Sequence, residues 1–235
     1  MSNIDPRLFQ EAAERIDVWR RPLLVSHEKP DGDALGSLAA MRALLRNRGI
    51  TARALLFDSF PDRYALFSAF EPMPVLGRDV KEGDLSAHDG VIILDTCTYN
   101  QLSPIANWLR ATAAPKLVDH HVTRDQLADL ELIDEQAAAT CSILYDWAAA
   151  VGWAIPHEAA QALFVGIATD TGWFRHSNTD ARTFAAAADL ASGGVVPHAL
   201  YQALYEQESR ARVALLGAAL NTLQISMAGR LAMMT

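Results

Sequence analysis

The sequence predicts an α/β fold: a parallel sheet with helices on both faces. Three observations point to it. Short apolar runs at 23–26, 91–94 and 116–118 alternate with longer segments of helical spacing. The runs are apolar at consecutive positions, as in strands covered on both sides. Each run stops abruptly at an acid or a histidine, where an open parallel sheet binds its ligands.

In chain order, residues 6–20 read as a helix with Leu8, Phe9, Ala12, Ile16 and Trp19 on one face, and Pro22 ends it. Residues 23–26 form a buried strand, and the helix over 33–48 is stopped by Gly49. A second strand spans 51–57. A short helix at 61–70 is broken by Pro72-Met73-Pro74. Strand 91–94 ends at Asp95, a helix covers 102–111, and strand 116–118 ends at Asp119-His120-His121. A further strand is expected at 130–133, with helices over 137–151, 157–169, 180–192 and 197–220 and a break at Gly193-Gly194. After it, Leu223, Ile225, Met227, Leu231 and Met233 alternate about Ala228-Gly229 as a lone hairpin, which is marginal in water by itself. The organisation read from these signals is a main domain over 1–192, a linker and connecting helix over 193–220, and a hairpin over 221–235.

The chain has 235 residues, half of them apolar, enough for one large core. No apolar run reaches the ~18 residues that span a bilayer, and the charged, amphipathic start has no signal-peptide core. No membrane partner is expected. Two distant cysteines, Cys97 and Cys141, make neither a disulfide framework nor a thiolate metal site, so a reducing, cytoplasmic setting is expected. A net charge of -8 argues against a stable grip on duplex DNA and leaves room for a nucleotide or a short single-stranded oligonucleotide.

The chemistry lies where the apolar runs end: His27 with Asp31 and Asp33, then Asp95, then Asp119-His120-His121, then Asp170 after the helix over 157–169. Brought into one crevice, so many carboxylates cannot all ionise without counter-charge, and Lys29 and Arg175 are the cations near them in sequence. Metal ions answer this. Oxygen and imidazole without thiolate suit manganese first, with magnesium, iron or zinc as alternatives. Singly, each residue has a plainer reading: a strand-end Asp is commonly a helix cap, and Asp33 could cap the helix it opens. Gly32 to Ser37 lacks the spacing and the lysine of a P-loop.

Together, Ser26-His27-Glu28-Lys29-Pro30-Asp31-Gly32-Asp33-Ala34-Leu35-Gly36-Ser37, Asp95, Asp119-His120-His121 and Asp170-Thr171-Gly172-Trp173-Phe174-Arg175-His176-Ser177-Asn178-Thr179 resemble the four motifs of the DHH phosphoesterase superfamily. The fourth has the form seen in its NrnA-like branch of oligoribonucleases and pAp phosphatases. The resemblance runs over roughly residues 10–230. It implies two divalent ions, His27 and Asp31 holding one, Asp33, His120 and Asp170 the other, and Asp95 bridging both. It implies that Asp119 orients the histidines, while His121 and Arg175 face the substrate phosphate. Two ions ~3.5–4 Å apart acidify a shared water and clamp attacking and leaving oxygens, which hydrolyses a phosphate ester without a covalent intermediate.

The resemblance also implies a second, substrate-binding domain beyond the linker, with a glycine-rich, histidine-containing motif. The chain reaches Thr235 in what resembles its first hairpin, so a truncated second domain is expected, and a homodimer could complete the grip. The substrates implied are nanoRNA, pAp or products of cyclic dinucleotides. The alternatives are a manganese-dependent inorganic pyrophosphatase of the same superfamily and a non-catalytic metal-binding module; a nucleotide-binding domain using Gly32 to Ser37 without metal is a further one.

Overall fold

The computed structural model describes residues 2–68, 72–112, 116–121 and 125–234, with backbone alone at 68 and 116–119. The chain divides into two compact units, Met1–Pro197 and His198–Thr235. In the first unit, α1 (Pro6–Asp17) leads to β1 (Leu23–Val25), α2 (Gly32–Asn47), β2 (Arg53–Leu55) and a single turn, α3 (Ala65–Ser68). Then come β3 (Val91–Leu94), α4 (Ala106–Ala111), β4 (Lys116–Asp119), β5 (Leu130–Ile133), α5 (Thr140–Ala150), α6 (His157–Asp170) and α7 (Ala181–Ser192). The helix expected over 61–70 is a 3₁₀ turn followed by α3, and its last two residues lie outside the described ones. The helix expected over 102–111 likewise opens as a 3₁₀ turn, Ser103–Ile105.

The five strands form one parallel sheet in the order β2-β1-β3-β4-β5. Strand order reverses at β1, so the crevice between the carboxyl ends of β1 and β3 is the expected ligand position. Leu23, Leu24 and Val25 are fully buried, as a strand covered on both faces requires. On one face Leu23, Val25 and Ile93 pack with Leu85, Leu102, Ile105 and Leu109. On the other lie α2 and α5, with α6 against both.

α1 is set by Pro6 at its first turn and by Asp5, whose carboxylate accepts from Arg7 N. Its buried face is Phe9, Ala12, Ala13 and Ile16; Leu8, expected inside, is 38% exposed. α2 is buried from Gly32 to Leu45, so it is a central helix rather than a surface one. It approaches α6 closely. A Cβ on Gly36 would lie 2.7 Å from Ala162 O, and one on Gly166 would strike Cys141 Sγ and come within 2.6 Å of Asp33 Oδ1. These two glycines are small because the backbones nearly touch, and that contact brings Asp33 beside the end of α6.

In the second unit α8 (Pro197–Tyr205, its first residue in the first unit) is separated from α9 (Arg210–Asn221) by Glu206 to Ser209. The continuous helix expected over 197–220 is therefore two helices. Ser209 starts the second by accepting from Arg212 N at 3.2 Å, a local cap that competes with helix continuation. β6 (Gln224–Ser226) and β7 (Leu231–Met233) pair antiparallel around a turn in which Met227, Ala228 and Gly229 all have positive φ. Leu215, Leu216, Ile225 and Met227 are exposed. No helix of the described residues is long and apolar enough to cross a membrane.

Candidate metal centre

The parallel sheet delivers its strand ends to one edge. His27 follows β1 by two residues, Asp95 follows β3 directly, and His120 follows β4. Asp31 and Asp33 sit where α2 begins, and Asp170 is the last residue of α6. These side chains meet. His120 Nε2 lies 3.5 Å from Asp95 Oδ1, 3.5 Å from Asp170 Oδ2 and 3.9 Å from Asp33 Oδ2. His27 Nε2 lies 3.6 Å from the other Asp95 oxygen, Oδ2. Among the described residues, three groups have ligand atoms within 4.8 Å of one another: His27, Asp31 and Asp95; Asp33, His120 and Asp170; and Asp95, His120 and His121.

Asp95 is the hinge between the groups. It is 2% exposed and has a φ of +58°, a left-handed conformation that Asp tolerates better than most residues. The sharp turn there aims its carboxylate back over the sheet edge, and Thr140 Oγ1 donates to Oδ1 at 3.1 Å. His27 Nδ1 is 2.7 Å from Glu28 O, so Nδ1–H donates to the backbone and Nε2 is the nitrogen facing the cluster.

Asp33 is not the cap of its own helix. Asp31 is, its Oδ1 accepting from Asp33 N at 3.0 Å and Ala34 N at 3.1 Å. That releases the buried Asp33 side chain to cross to α5, where it accepts from Thr140 N at 2.6 Å and Cys141 N at 3.0 Å. The residue preceding α5, Ala139, has no capping side chain, so a carboxylate from α2 serves the free N–H groups and the positive end of α5. Thr140 and the backbone N–H of Cys141 are not among the site residues that the sequence predicts. The available signal was a helix opening Ala-Ala-Ala-Thr with no cap of its own. The helix expected from 137 begins at Thr140, because Ala137 N is held by Asp134 O in a preceding turn.

Burial and crowding govern protonation here. For Asp33, burial first, then the charges of Asp95 and Asp170, raise the pKa well above the usual carboxylate range. Asp170 is pushed up to about 6, chiefly by burial, with Asp95 and Asp31 adding to it against the pull of His120. Burial works against ionisation of Asp95 also, yet its hydrogen bonds to His120 and His27 hold it down at about 2. Burial opposes charge on His27 and His120, but Asp95 and its acidic neighbours keep both at about 9. Two imidazolium ions thus counterbalance the carboxylates. The buried Cys141 thiol is driven up by burial and by Asp33, so no thiolate joins the donors. Oxygen and imidazole donors around excess negative charge fit divalent cations of the manganese or magnesium kind.

His121 is exposed, its ring 4.5 Å from that of His120. Asp119 ends β4, and its side chain lies outside the described residues. Arg175 is exposed and its Nε donates to Gly172 O at 2.7 Å, within the turn that follows α6. Asn178 Nδ2 anchors that turn by donating to Ala138 O at 3.1 Å and Asp170 O at 3.2 Å. Cys97 is buried in the apolar layer, as expected of a small core residue.

Residues 22–167 match the "DHH family, N-terminal domain". The chain belongs to the DHH family. It is 26% identical over 201 residues to the bifunctional oligoribonuclease and PAP phosphatase NrnA of Bacillus subtilis, covering 83% of this chain and 60% of that protein. It is 29% identical over 174 residues to a probable manganese-dependent inorganic pyrophosphatase of Streptococcus mutans, covering 72% of this chain and 54% of that protein. Among solved structures, an exopolyphosphatase-related protein from Bacteroides fragilis matches with a TM-score of 0.87 at 18% identity, covering 100% of this chain and 70% of that one. At that identity the likeness is one of fold. The chain spans about three fifths of the length of the first curated relatives it matches, 61% and 60%.

Proposed function

We propose that this DHH protein is a metal-dependent phosphoesterase that hydrolyses phosphate esters of nucleotides or short single-stranded oligonucleotides. The observation that carries the reading is the span of Asp95, one oxygen 3.5 Å from His120 and the other 3.6 Å from His27. A single carboxylate so placed can serve two cation positions. His27 and Asp31 would hold one ion, Asp33, His120 and Asp170 the other. The pair, when bound, supplies Lewis acidity that lowers the pKa of a water toward ~7 and neutralises phosphoryl oxygens.

The chain's own residues have distinct tasks. Glu28 O orients His27, and the α5 N-terminus with Thr140 holds Asp33 and Asp95 in place. His121 at the rim and Arg175 after α6 are assigned to the substrate phosphate, and Asp119 to orienting the paired histidines. Residues 193–235 are assigned to a connector and to the opening of a substrate-gripping region. Manganese is the preferred metal, which agrees with the name of the Streptococcus mutans relative. The nucleotide substrate class agrees with the name of the Bacillus subtilis one.

Turnover of pAp, a short oligoribonucleotide and pyrophosphate, compared in saturating manganese, tests the reading. The nucleotide substrates are expected to be cleaved and pyrophosphate spared. The pyrophosphatase is retained as a second reading because of the relative's similarity, and faster release of phosphate from pyrophosphate would decide for it. Manganese bound without turnover of any phosphoester would instead leave a non-catalytic module.

Metal binding should also follow pH in a set direction. His27 and His120 have folded pKa values of about 9, above the ordinary 6.5. Their ion pairs therefore stabilise the metal-free protein fully below pH 6.5, and that stabilisation fades as pH rises through 9. A ligating imidazole must be neutral, so cation affinity rises over the same interval. The difference in melting temperature between manganese-loaded and chelator-treated protein is expected to widen from pH 6.5 to 9. A constant difference would show that these histidines do not ligate.

A further inference from the structure

A cavity of about 460 Å³ opens on the side of the sheet where strands begin rather than end. Arg21 precedes β1, His88 precedes β3, and Arg53 starts the edge strand β2; all three line it, with Arg42 from α2 in its wall. The acidic cluster lies at the opposite ends of β1 and β3. In a chain of net charge -8, three arginines gather here against two described lining acids, Asp79 and Asp84.

The cations converge. Arg42 is 4% exposed and its Nη1 donates to Pro72 O at 3.3 Å, which holds its charge in the wall. His88 Nδ1 lies 2.9 Å from Arg21 O. Burial lowers the pKa of His88 and the charges of Arg53 and Arg21 depress it further, against its bond to Arg21 O and the charge of Asp89, which accepts from Arg21 N at 2.9 Å. Two acids also line the cavity, but each is committed to its own segment. Asp79 accepts from Val75 N at 2.9 Å and pairs with Arg78 at 2.8 Å. Asp84 accepts from Lys81 N at 3.0 Å. The backbone contributes as well. Arg53 N donates to Pro22 O toward β1, so by strand alternation the Ala54 N–H points to the outer edge that lines the cavity.

We propose that this cavity is a second anion site, which takes a phosphate monoester at the sheet edge remote from the acidic cluster. Guanidinium forks match phosphate oxygens in pairs, and convergent arginines favour a dianion over a single carboxylate. The volume falls within the ~300–1,000 Å³ of small-molecule pockets, larger than phosphate alone needs and compatible with a mononucleotide.

Calorimetric titration with AMP and, separately, inorganic phosphate tests this, with chelator present so that no metal recruits anions to the acidic cluster. Saturable binding is expected in the wild-type protein and in Asp95→Asn. It should weaken at least about tenfold in each of Arg21→Ser and Arg53→Ser, the loss of a charge-assisted contact. Both arginines are exposed, so these variants should keep the wild-type melting temperature. Tighter binding of AMP assigns the site to a nucleoside monophosphate, and equal binding assigns it to the free anion. Three results would overturn the proposal: no saturation at millimolar concentration, unchanged affinity in both arginine variants, or loss of binding in Asp95→Asn.

Discussion

Replacing Asp95 with alanine is expected to reduce hydrolysis of bis-p-nitrophenyl phosphate by more than ~100-fold, beyond what loss of a residue that merely orients a ligand costs. The expectation rests on geometry. Asp95 alone faces both His27 and His120, and it is buried where no other described carboxylate has an oxygen toward each. Alanine also sits poorly at a φ of +58°, a penalty of ~1–2 kcal/mol, and leaves the Thr140 hydroxyl without its acceptor. Asp95→Asn is the sharper variant, because asparagine tolerates the left-handed turn and can still accept from Thr140. Both are assayed in saturating manganese, with circular dichroism to establish folding. A folded Asn variant that keeps a tenth or more of wild-type activity would refute the bridging role.

The second large effect concerns stability. Arg182 in α7 donates to Asp134 at 2.7 Å and to Asp146 at 2.6 Å. Asp134, just past β5, is 3% exposed and also accepts from Asn3 N at 3.2 Å and Asn3 Nδ2 at 3.0 Å. One buried carboxylate thus ties the N-terminus, the sheet and α7 together. Arg182→Ala leaves that charge buried without its cation, which should cost about 3 kcal/mol or more, a fall of about 6–12 °C in melting temperature. The pH dependence follows. Burial would raise the Asp134 pKa, but its bonds to Asn3 and Arg182 hold it at about 2, below the ordinary 3.8. Its contribution is therefore complete above 3.8 and lost as pH falls through 2, and this acid-side loss should be smaller in the variant. Thermal unfolding between pH 2 and 5 measures both, and an unchanged melting temperature would remove the ion pair from the stabilising interactions.

Neither arginine network was legible in the chain. Arg182 is one of four polar residues in the Ala-rich α7, and its partners Asp134 and Asp146 lie 48 and 36 positions away. The same holds for Asp33. Its place at the opening of α2 is compatible with a cap, whereas the structure gives capping to Asp31 and sends Asp33 to α5. The resemblance implies a phosphate contact for Arg175, and the motif gave no sign that its Nε also donates to Gly172 O within its own turn. The helix expected over 197–220 divides at the Ser209 cap, which acts within four residues.

What the sequence by itself determined is the parallel α/β sheet and the positions of His27, Asp31, Asp95, His120 and Asp170 at element ends. Those follow from local physics: apolar runs must be buried on both faces, and polar residues at their limits must emerge at the same sheet edge once the strands run parallel. Only the tertiary structure decided which oxygen faces which nitrogen. That depends on the left-handed turn at Asp95, the glycine contact between α2 and α6, and the uncapped end of α5 that draws Asp33 inward. The last two are contacts between residues distant in the chain, and pattern along the chain carries no information about such distances.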